Sequence, residues 1–499
     1  MSNLLDFTFS LFIKAIHLEK WYKPVNETLF DERFSKLVDM SAGRLGVCLL
    51  LACEILACGQ VTTAAPLTGR DVCRLTETDR QGEIGVWVDV PVDYAHPTLA
   101  LTQIYGWTLK PFNPDLESFV YFMGGPGASA HQVRFRELSQ WNVIYFDQRG
   151  VACSRPENQE LVLDGRFYSS EAIARDADLL RQKFGIQKWS VYAHSYGTIP
   201  GTIYAHLFPE YTKALVLEGV VESGEAGLWN APHRRKWLQR FYNKLDPELQ
   251  GVVQKLSQPP GNELLFSQIA FSMSYSDSAG EELIKYLHIQ RDLELASSQP
   301  LPFGGSPSGL TLDGPSEETI QEARGYLFFS NQNYEAITCR ELSAMDLKSN
   351  FYYLFQKGKF LFDESQAGQA TRISGCLNYG LSPGSPFIKV YAAKSYPLRI
   401  PVTYFQGTTD GATEAPMAVH HYKFVAKGFA QLLLKINGGH QPNQSLVLAS
   451  DDSSSVITQS ELQIEIFQKA LRGLSIDPAL LRQFNQTSVT DWVMTKKNF

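Results

Sequence analysis

Ser195 stands in Ala193-His194-Ser195-Tyr196-Gly197, with a small residue two places before it and another two places after. The apolar run from Trp189 to Ala193 predicts a strand, and Tyr196 to Leu207 predicts a helix directly behind it. A sharp strand-to-helix turn at this point throws the serine hydroxyl outward into a strained backbone position, and only small flanking residues leave room for it. A serine hydroxyl is a poor nucleophile at neutral pH, so it needs a general base, itself oriented by a carboxylate. Sheets that carry such a turn supply these partners in the chain order Ser, Asp, His, from loops after later strands. Asp410 lies in Gln406-Gly407-Thr408-Thr409-Asp410-Gly411 after a strand ending at Phe405, and His440 closes Asn437-Gly438-Gly439-His440 after a strand ending at Ile436. Both fall where the order demands. The oxyanion of acyl transfer needs two backbone N–H donors. One is expected at the amide of Tyr196, the other from the loop Met123-Gly124-Gly125-Pro126-Gly127, whose glycines permit close approach. His420 and His421 fall in an apparent helix, His194 in the turn and His206 late in the following helix, and each reads as a packed or surface histidine.

The elements that must position these groups alternate along the chain. Val86, Val88 and Val90 alternate as in a half-exposed strand, with Ile104 to Leu109 as its hairpin partner. Phe119 to Met123 and Val143 to Phe146 are continuous apolar runs ending in glycine-containing turns, as expected of strands buried on both faces of a parallel sheet. Ile173, Ala177, Leu180 and Phe184 mark one face of a helix between Ser170 and Phe184. Further strands are expected at Ala214 to Leu217, Ile400 to Phe405 and Leu432 to Ile436, and an amphipathic helix near Glu461 to Leu471. This order predicts an α/β class chain with a mostly parallel, doubly wound sheet. From Glu222 to Tyr396 the rhythm gives way to helix formers and aromatics, with a Ser/Pro/Gly-rich stretch over 296–316 that cannot be regular structure. The expected organisation is an α/β core of residues 84–221 and 396–475, interrupted by a large, mainly helical cap at 222–395, with a linker at 59–83 and a C-terminal tail at 476–499.

A chain of 499 residues that is 44% hydrophobic can bury a large core, which excludes a disordered protein. Its net charge of −7, with Lys and Arg scattered, leaves no basic footprint for nucleic acid. No His/Cys/Asp group has metal-ligand spacing, so neither a metal nor an organic cofactor is expected.

Leu45 to Cys58 is an apolar run of fourteen residues broken by Glu54 and preceded by Arg44. It is shorter than the roughly 20 residues of a membrane span and suits the apolar region of a secretory signal. Starting at Met40 puts that signal at the head of the chain, so residues 1–39, with His17, read as a dispensable upstream extension and 40–58 as the signal. Ile55-Leu56-Ala57-Cys58-Gly59 resembles the lipobox of bacterial lipoproteins, which implies lipid on Cys58 and membrane association without a span. Removal of Cys48 and Cys53 then leaves Cys73, Cys153, Cys339 and Cys376 in an oxidising compartment. Proximity along the chain and domain membership favour Cys73 with Cys153 and Cys339 with Cys376 among the three pairings. The expected location is the bacterial periplasm or cell envelope.

Gly124-Gly125-Pro126-Gly127, then Asp147-Gln148-Arg149-Gly150, then the His-Ser-Tyr-Gly turn together resemble the α/β-hydrolase peptidases of the proline iminopeptidase group, the larger secreted prolyl and tripeptidyl aminopeptidases matching best in length. Val90-Pro91-Val92-Asp93-Tyr94 resembles the leading strand of that branch. The resemblance implies an α/β-hydrolase fold, Ser195 as nucleophile, His440 as base, Asp410 as its orienter, Gly125 with Tyr196 as the oxyanion hole, and the Asp-Gln-Arg-Gly turn as a support beside the site. Met123 stands where many members have histidine, and Ala152 where a second glycine is common.

Such enzymes take residues from the free N-terminus of short peptides, often with proline at the cleaved position, and an aminopeptidase must recognise an ammonium group. Acids in the insertion would do so, with Glu222, Glu225, Glu335 and Glu341 as candidates, the last two flanking Cys339. Trp229, Tyr326, Phe328, Phe329, Tyr352 and Tyr353 would line a pocket for an apolar residue. The expected function is a serine exopeptidase working through an acyl-enzyme. A carboxylesterase with the same triad is the alternative, and a catalytically silent binding protein the remote one.

Overall fold

The structure is a computed structural model. It describes residues 67–225, 239–256, 317–342, 376–443 and 457–498, apart from a few positions within them, and a short helical stretch at 284–292. The extension 1–39, the signal 40–58 with Cys58, the stretch 296–316, and Trp229, Tyr352 and Tyr353 lie outside the described residues.

Nine strands form one sheet: β1 (Ile84–Pro91), β2 (Leu101–Thr108), β3 (Glu117–Phe122), β4 (Trp141–Phe146), β5 (Trp189–His194), β6 (Thr212–Glu218), β7 (Val402–Gly407), β8 (Phe429–Lys435) and β9 (Trp492–Asn498). Their order is β1-β2-β4-β3-β5-β6-β7-β8-β9. The six strands from β4 to β8 are parallel, while β1 and β2 form an antiparallel hairpin and β9 runs antiparallel to β8. The continuous apolar runs have the expected cause. Val120 and Phe122 enter a core on one face of the sheet, and Phe119 and Tyr121 enter a second core on the other.

Helix α1 (Gly69–Leu75) precedes the sheet, and α2 (Ser170–Lys183) and α3 (Thr198–Leu207) follow β4 and β5. Ser169 caps α2 by accepting the Ala172 amide at 3.1 Å, and Gly185, at φ +68°, lets the chain leave it. The apolar face read from the spacing, Ile173, Ala177 and Leu180, is buried in the first core, where a fully buried leucine contributes about 2 kcal/mol. Described parts of the insertion are helical: α4 (Pro247–Leu256), α5 (Glu317–Phe328) and α6 (Asn331–Glu341). The backbones at its two ends pair, Ala393 N donating to Glu222 O at 2.9 Å and Gly224 N to Tyr391 O at 2.9 Å. After β7 come α7 (Ala415–His421), α8 (Ile457–Leu471) and α9 (Pro478–Thr487).

Two boundaries change. Residues 69–80, expected in a linker, are helical, and Cys73 is joined to Cys153. A crosslink closing an interval of 80 residues contributes on the order of 4 kcal/mol through the unfolded chain. The expected tail at 476–499 instead supplies α9, which buries Leu481 and Phe484, and the edge strand β9. Both helices carry local marks in sequence, a capping box of Thr68 and Asp71 at the start of α1 and the helical spacing of Leu481 and Phe484 in α9. The second disulfide joins Cys339 to Cys376.

Beside the Cys73–Cys153 disulfide lies a buried charge cluster that spacing along the chain concealed. His131 lies between Glu83 (Nδ1 to Oε1, 2.8 Å) and Asp147 (Nε2 to Oδ2, 2.9 Å), stacked on Trp107 at 4.2 Å. The ligand-type atoms of His131, Asp147 and Cys153 gather within 4.8 Å. The Cys153 sulfur is bonded to Cys73 and both imidazole nitrogens face carboxylates, so this is a structural ion cluster. Burial alone would depress the His131 pKa, but the Asp147 and Glu83 carboxylates overcome it and push it up to about 9. The stabilisation is therefore fully present below the unfolded value of 6.5 and lost as pH rises through about 9. Thermal melts from pH 6 to 10 are expected to fall more steeply for the parent than for His131→Gln, and parallel curves would refute the assignment.

Candidate active site

The carboxyl ends of adjacent strands bring the sequence candidates together. Chain direction reverses between neighbours β3 and β5, since β3 leads towards β4 and β5 towards β6, and such a switch point opens a crevice beyond the strand ends. The loop Met123–Gly127 leaves β3 and Ser195 leaves β5, so both border that crevice. Ser195 has φ 54°, the left-handed strain predicted for the turn. Gly197 and Gly124 show why small residues are required. A Cβ on Gly197 would lie 2.2 Å from Phe122 O, and one on Gly124 would lie 2.7 Å from Ser195 Cβ. Gly125 has φ +76°. Thr198 Oγ donates to Ser195 O at 2.6 Å and accepts the Val221 amide at 3.0 Å, tying the turn to the end of β6.

His194, Glu218 and Phe405 share a register across β5, β6 and β7, so Ser195, Gly219 and Gln406 are the residues that follow that shared level. Gly219, at φ +60°, lies against the imidazole of His440: a Cβ there would come within 2.8 Å of Cε1. His440 Nδ1 meets Asp410 Oδ2 at 3.0 Å and Oδ1 at 3.1 Å, all fully buried. Asp410 Oδ1 also accepts the amides of Ala412 and Thr413 at 2.8 Å, and Oδ2 accepts Thr413 Oγ and Gln406 Nε2 at 2.8 Å. The carboxylate is thus surrounded by donors, which fixes its plane and leaves His440 Nδ1 as a donor to it. His440's loop is anchored three residues on, where Asn443 N donates to Glu218 Oε1 at 2.7 Å. His194 is buried with its ring 4.9 Å from that of His440, and burial followed by the His440 charge holds its pKa well below the ordinary value. His421 is buried between Thr202 and Tyr404, and His206 Nδ1 faces Pro397 O.

The Asp-Gln-Arg-Gly turn braces the crevice from behind. Gln148 Nε2 donates to Met123 O at 2.9 Å, steadying the glycine loop. Arg149, 1% exposed, places Nε and Nη2 on the two oxygens of Asp176 (2.8 and 2.6 Å) and its other donors on the carbonyls of Pro91, Val92 and Phe167. Ala152, where a glycine was expected, takes φ 41°.

The acids of the insertion separate. Glu222 follows β6, and its largely buried side chain pairs with His420 at 3.0 Å. Glu335 is exposed and accepts Tyr379 OH at 3.0 Å, and Glu225 is exposed, so neither is held in the crevice. Glu341 is buried and already engaged, accepting Ser170 N at 3.0 Å and Ser170 Oγ. Burial pushes its pKa up and outweighs the two Ser170 hydrogen bonds, which pull it down. Its expected part as an open ammonium receptor is therefore corrected. Tyr326 stacks under Arg155 at 3.9 Å, and Ala128 and Phe329 form a bridge beside the glycine loop. Sequence reasoning missed Gln406, Thr413, Gly219 and Ser170. Only Gly219, a glycine directly after a strand, carried a signal.

The family described as the α/β hydrolase fold matches residues 117–284, which include Ser195 and precede Asp410 and His440. Proline iminopeptidase of Neisseria meningitidis is 34% identical over 110 residues, 22% of this chain and 34% of that protein. Serine protease Hip1 of Mycobacterium tuberculosis is 24% identical over 250 residues, 39% of this chain and 48% of that one. The solved proline iminopeptidase of Mycobacterium smegmatis superposes with a TM-score of 0.37 at 12% identity, covering 78% of this chain and 98% of that one. The matches span about a third of the curated proline iminopeptidases and about half of the Hip1 protease. The chain has the α/β-hydrolase fold. Parts of it are similar to the proline iminopeptidases and to serine protease Hip1.

Proposed function

We propose that the protein is a serine aminopeptidase that releases N-terminal residues, proline among them, from short peptides through an acyl-enzyme. The observation that carries this is the strained Ser195 beside a strand end against which the Asp410-oriented His440 is packed. Ser195 Oγ attacks the scissile carbonyl while His440 Nε2 takes its proton, and the amides of Gly125 and Tyr196 receive the oxyanion. His440 then returns the proton to the leaving amine, and water repeats the sequence to release the acyl group. Asp410 keeps the imidazole in the tautomer that can accept at Nε2. Glu222, which follows β6 and pairs with His420, is the acid assigned to the substrate ammonium.

Purified protein assayed on Pro- and Ala-arylamides, their N-blocked versions and short acyl esters decides the reading. Free-amine arylamides are expected to turn over at least about tenfold faster than blocked ones, since an ammonium–carboxylate contact is a charge-assisted hydrogen bond. Equal rates on free and blocked amides would remove the aminopeptidase claim, and turnover of esters alone would make the protein an esterase. Export to the periplasm or cell envelope, with lipid on Cys58, belongs to the same proposal. Two disulfides support an oxidising compartment, and mass spectrometry of the mature N-terminus tests it.

A further inference from the structure

Helix α6 lies far from Ser195 in sequence, yet it touches the surroundings of the proposed oxyanion hole from three directions. At its start, Ser330 N donates to Gly127 O at 2.8 Å, and a Cβ on Gly127 would lie 2.4 Å from Ser330 O. One turn on, Asn333 Nδ2 donates to Arg149 O at 2.8 Å. At its end, Glu341 grips both polar groups of Ser170, whose Oγ lies 2.8 Å from Tyr196 OH. Ser170 Oγ has one proton and gives it to the Glu341 carboxylate, so Tyr196 OH donates to Ser170. All three side chains are buried, where such a chain of hydrogen bonds is strong. The disulfide Cys339–Cys376 holds the last turn of the helix.

We propose that α6 braces the oxyanion hole, and that Glu341 is a positioning residue that acts through Ser170 on Tyr196, fixing the amide that follows Ser195. The inference rests on the serine-hydrolase reading above. Its physical basis is distance: oxyanion donors act only when already in place at hydrogen-bonding range, and a misplacement of about 1 Å costs up to about a hundredfold in rate. Tyr196→Phe keeps the ring and removes the end of the chain. Glu341→Gln keeps the volume and turns one acceptor into a donor facing Ser170.

The test uses a fluorophosphonate, which Ser195 Oγ attacks at phosphorus with loss of fluoride, the proton passing to His440 and the phosphoryl oxygen occupying the oxyanion hole. Each variant is expected to label about tenfold more slowly and to lose kcat on an arylamide in proportion, with KM within about twofold of the parent. The double variant should be no slower than the worse single one, because both break one chain. Labelling of a folded Tyr196→Phe at the parent's rate would overturn the brace, as would a raised KM with unchanged kcat in Glu341→Gln. If Glu341→Gln does not fold, Tyr196→Phe decides. A parent that is not labelled at Ser195 would instead overturn the serine-hydrolase reading, and the brace with it.

Discussion

Ser195→Ala is expected to lower turnover of every substrate by about 10⁶-fold, and Asp410→Asn by about 10⁴-fold, with thermal stability retained in the first. In the proposed mechanism Ser195 Oγ forms the bond to substrate, so no remaining group replaces it. The asparagine effect follows from the donors around the carboxylate. Oδ1 faces two backbone amides, and Oδ2 faces Thr413 Oγ, Gln406 Nε2 and His440 Nδ1. Backbone amides cannot accept, so the new NH2 must turn to the Oδ2 side, where the Thr413 hydroxyl and an imidazole nitrogen can. His440 Nδ1 then becomes the acceptor and its proton moves to Nε2, the atom that should take the proton of Ser195. Steady-state kinetics on the arylamide substrates and fluorophosphonate labelling check both. Parent-like rates in Ser195→Ala would end the mechanism, and parent-like rates in Asp410→Asn would show that His440 is held by other means.

The second large effect is on stability. Arg149→Met is expected to cost about 3–5 kcal/mol, because it leaves the Asp176 carboxylate buried without its cation and three carbonyls without a donor. Against the 5–15 kcal/mol of a typical domain, that is enough to lose much of the folded protein at physiological temperature. Adding Asp176→Leu should recover part of the loss, since removing both members of a buried pair is far cheaper than removing one. Recovery stays incomplete while the carbonyls of Pro91, Val92 and Phe167 lack partners. Melting temperatures of the parent, the single and the double variant measure this, and an unchanged melt for Arg149→Met would mean that the buried pair contributes nothing. Tyr94 OH also donates to Asp176 at 2.8 Å, so the leading strand and the turn are stabilised as one unit.

Local pattern carried most of the sheet. The runs at β3, β4 and β5 are apolar without a break because both faces are covered, and such runs are visible to a reader of residues alone. The proposed triad was legible for a related reason. Each member lies just past a strand, and the punctuation of glycines around Ser195, Asp410 and His440 reflects tight turns that leave a mark in sequence. Strand β9 left no such mark, since an edge strand is held by the surface it covers, whereas α1 and α9 carry local marks of their own, the Thr68–Asp71 capping box and the helical spacing of Leu481 and Phe484.

By itself, then, the amino-acid order determined the α/β class, the place of Ser195 in a strained turn, the chain order of its partners and a pairing of cysteines by nearness. Those properties are local, or follow from rules of chain direction. Tertiary structure alone decided which acids of the insertion are open and which are engaged. Glu335 and Glu341 lie six residues apart on one helix, yet one faces solvent with Tyr379 and the other is buried against Ser170, behind Tyr196. It also placed His131 between Glu83 and Asp147, and α6 beneath the glycine loop. These are contacts between segments tens to hundreds of residues apart, and no spacing along a chain encodes which carboxylate a distant serine will find.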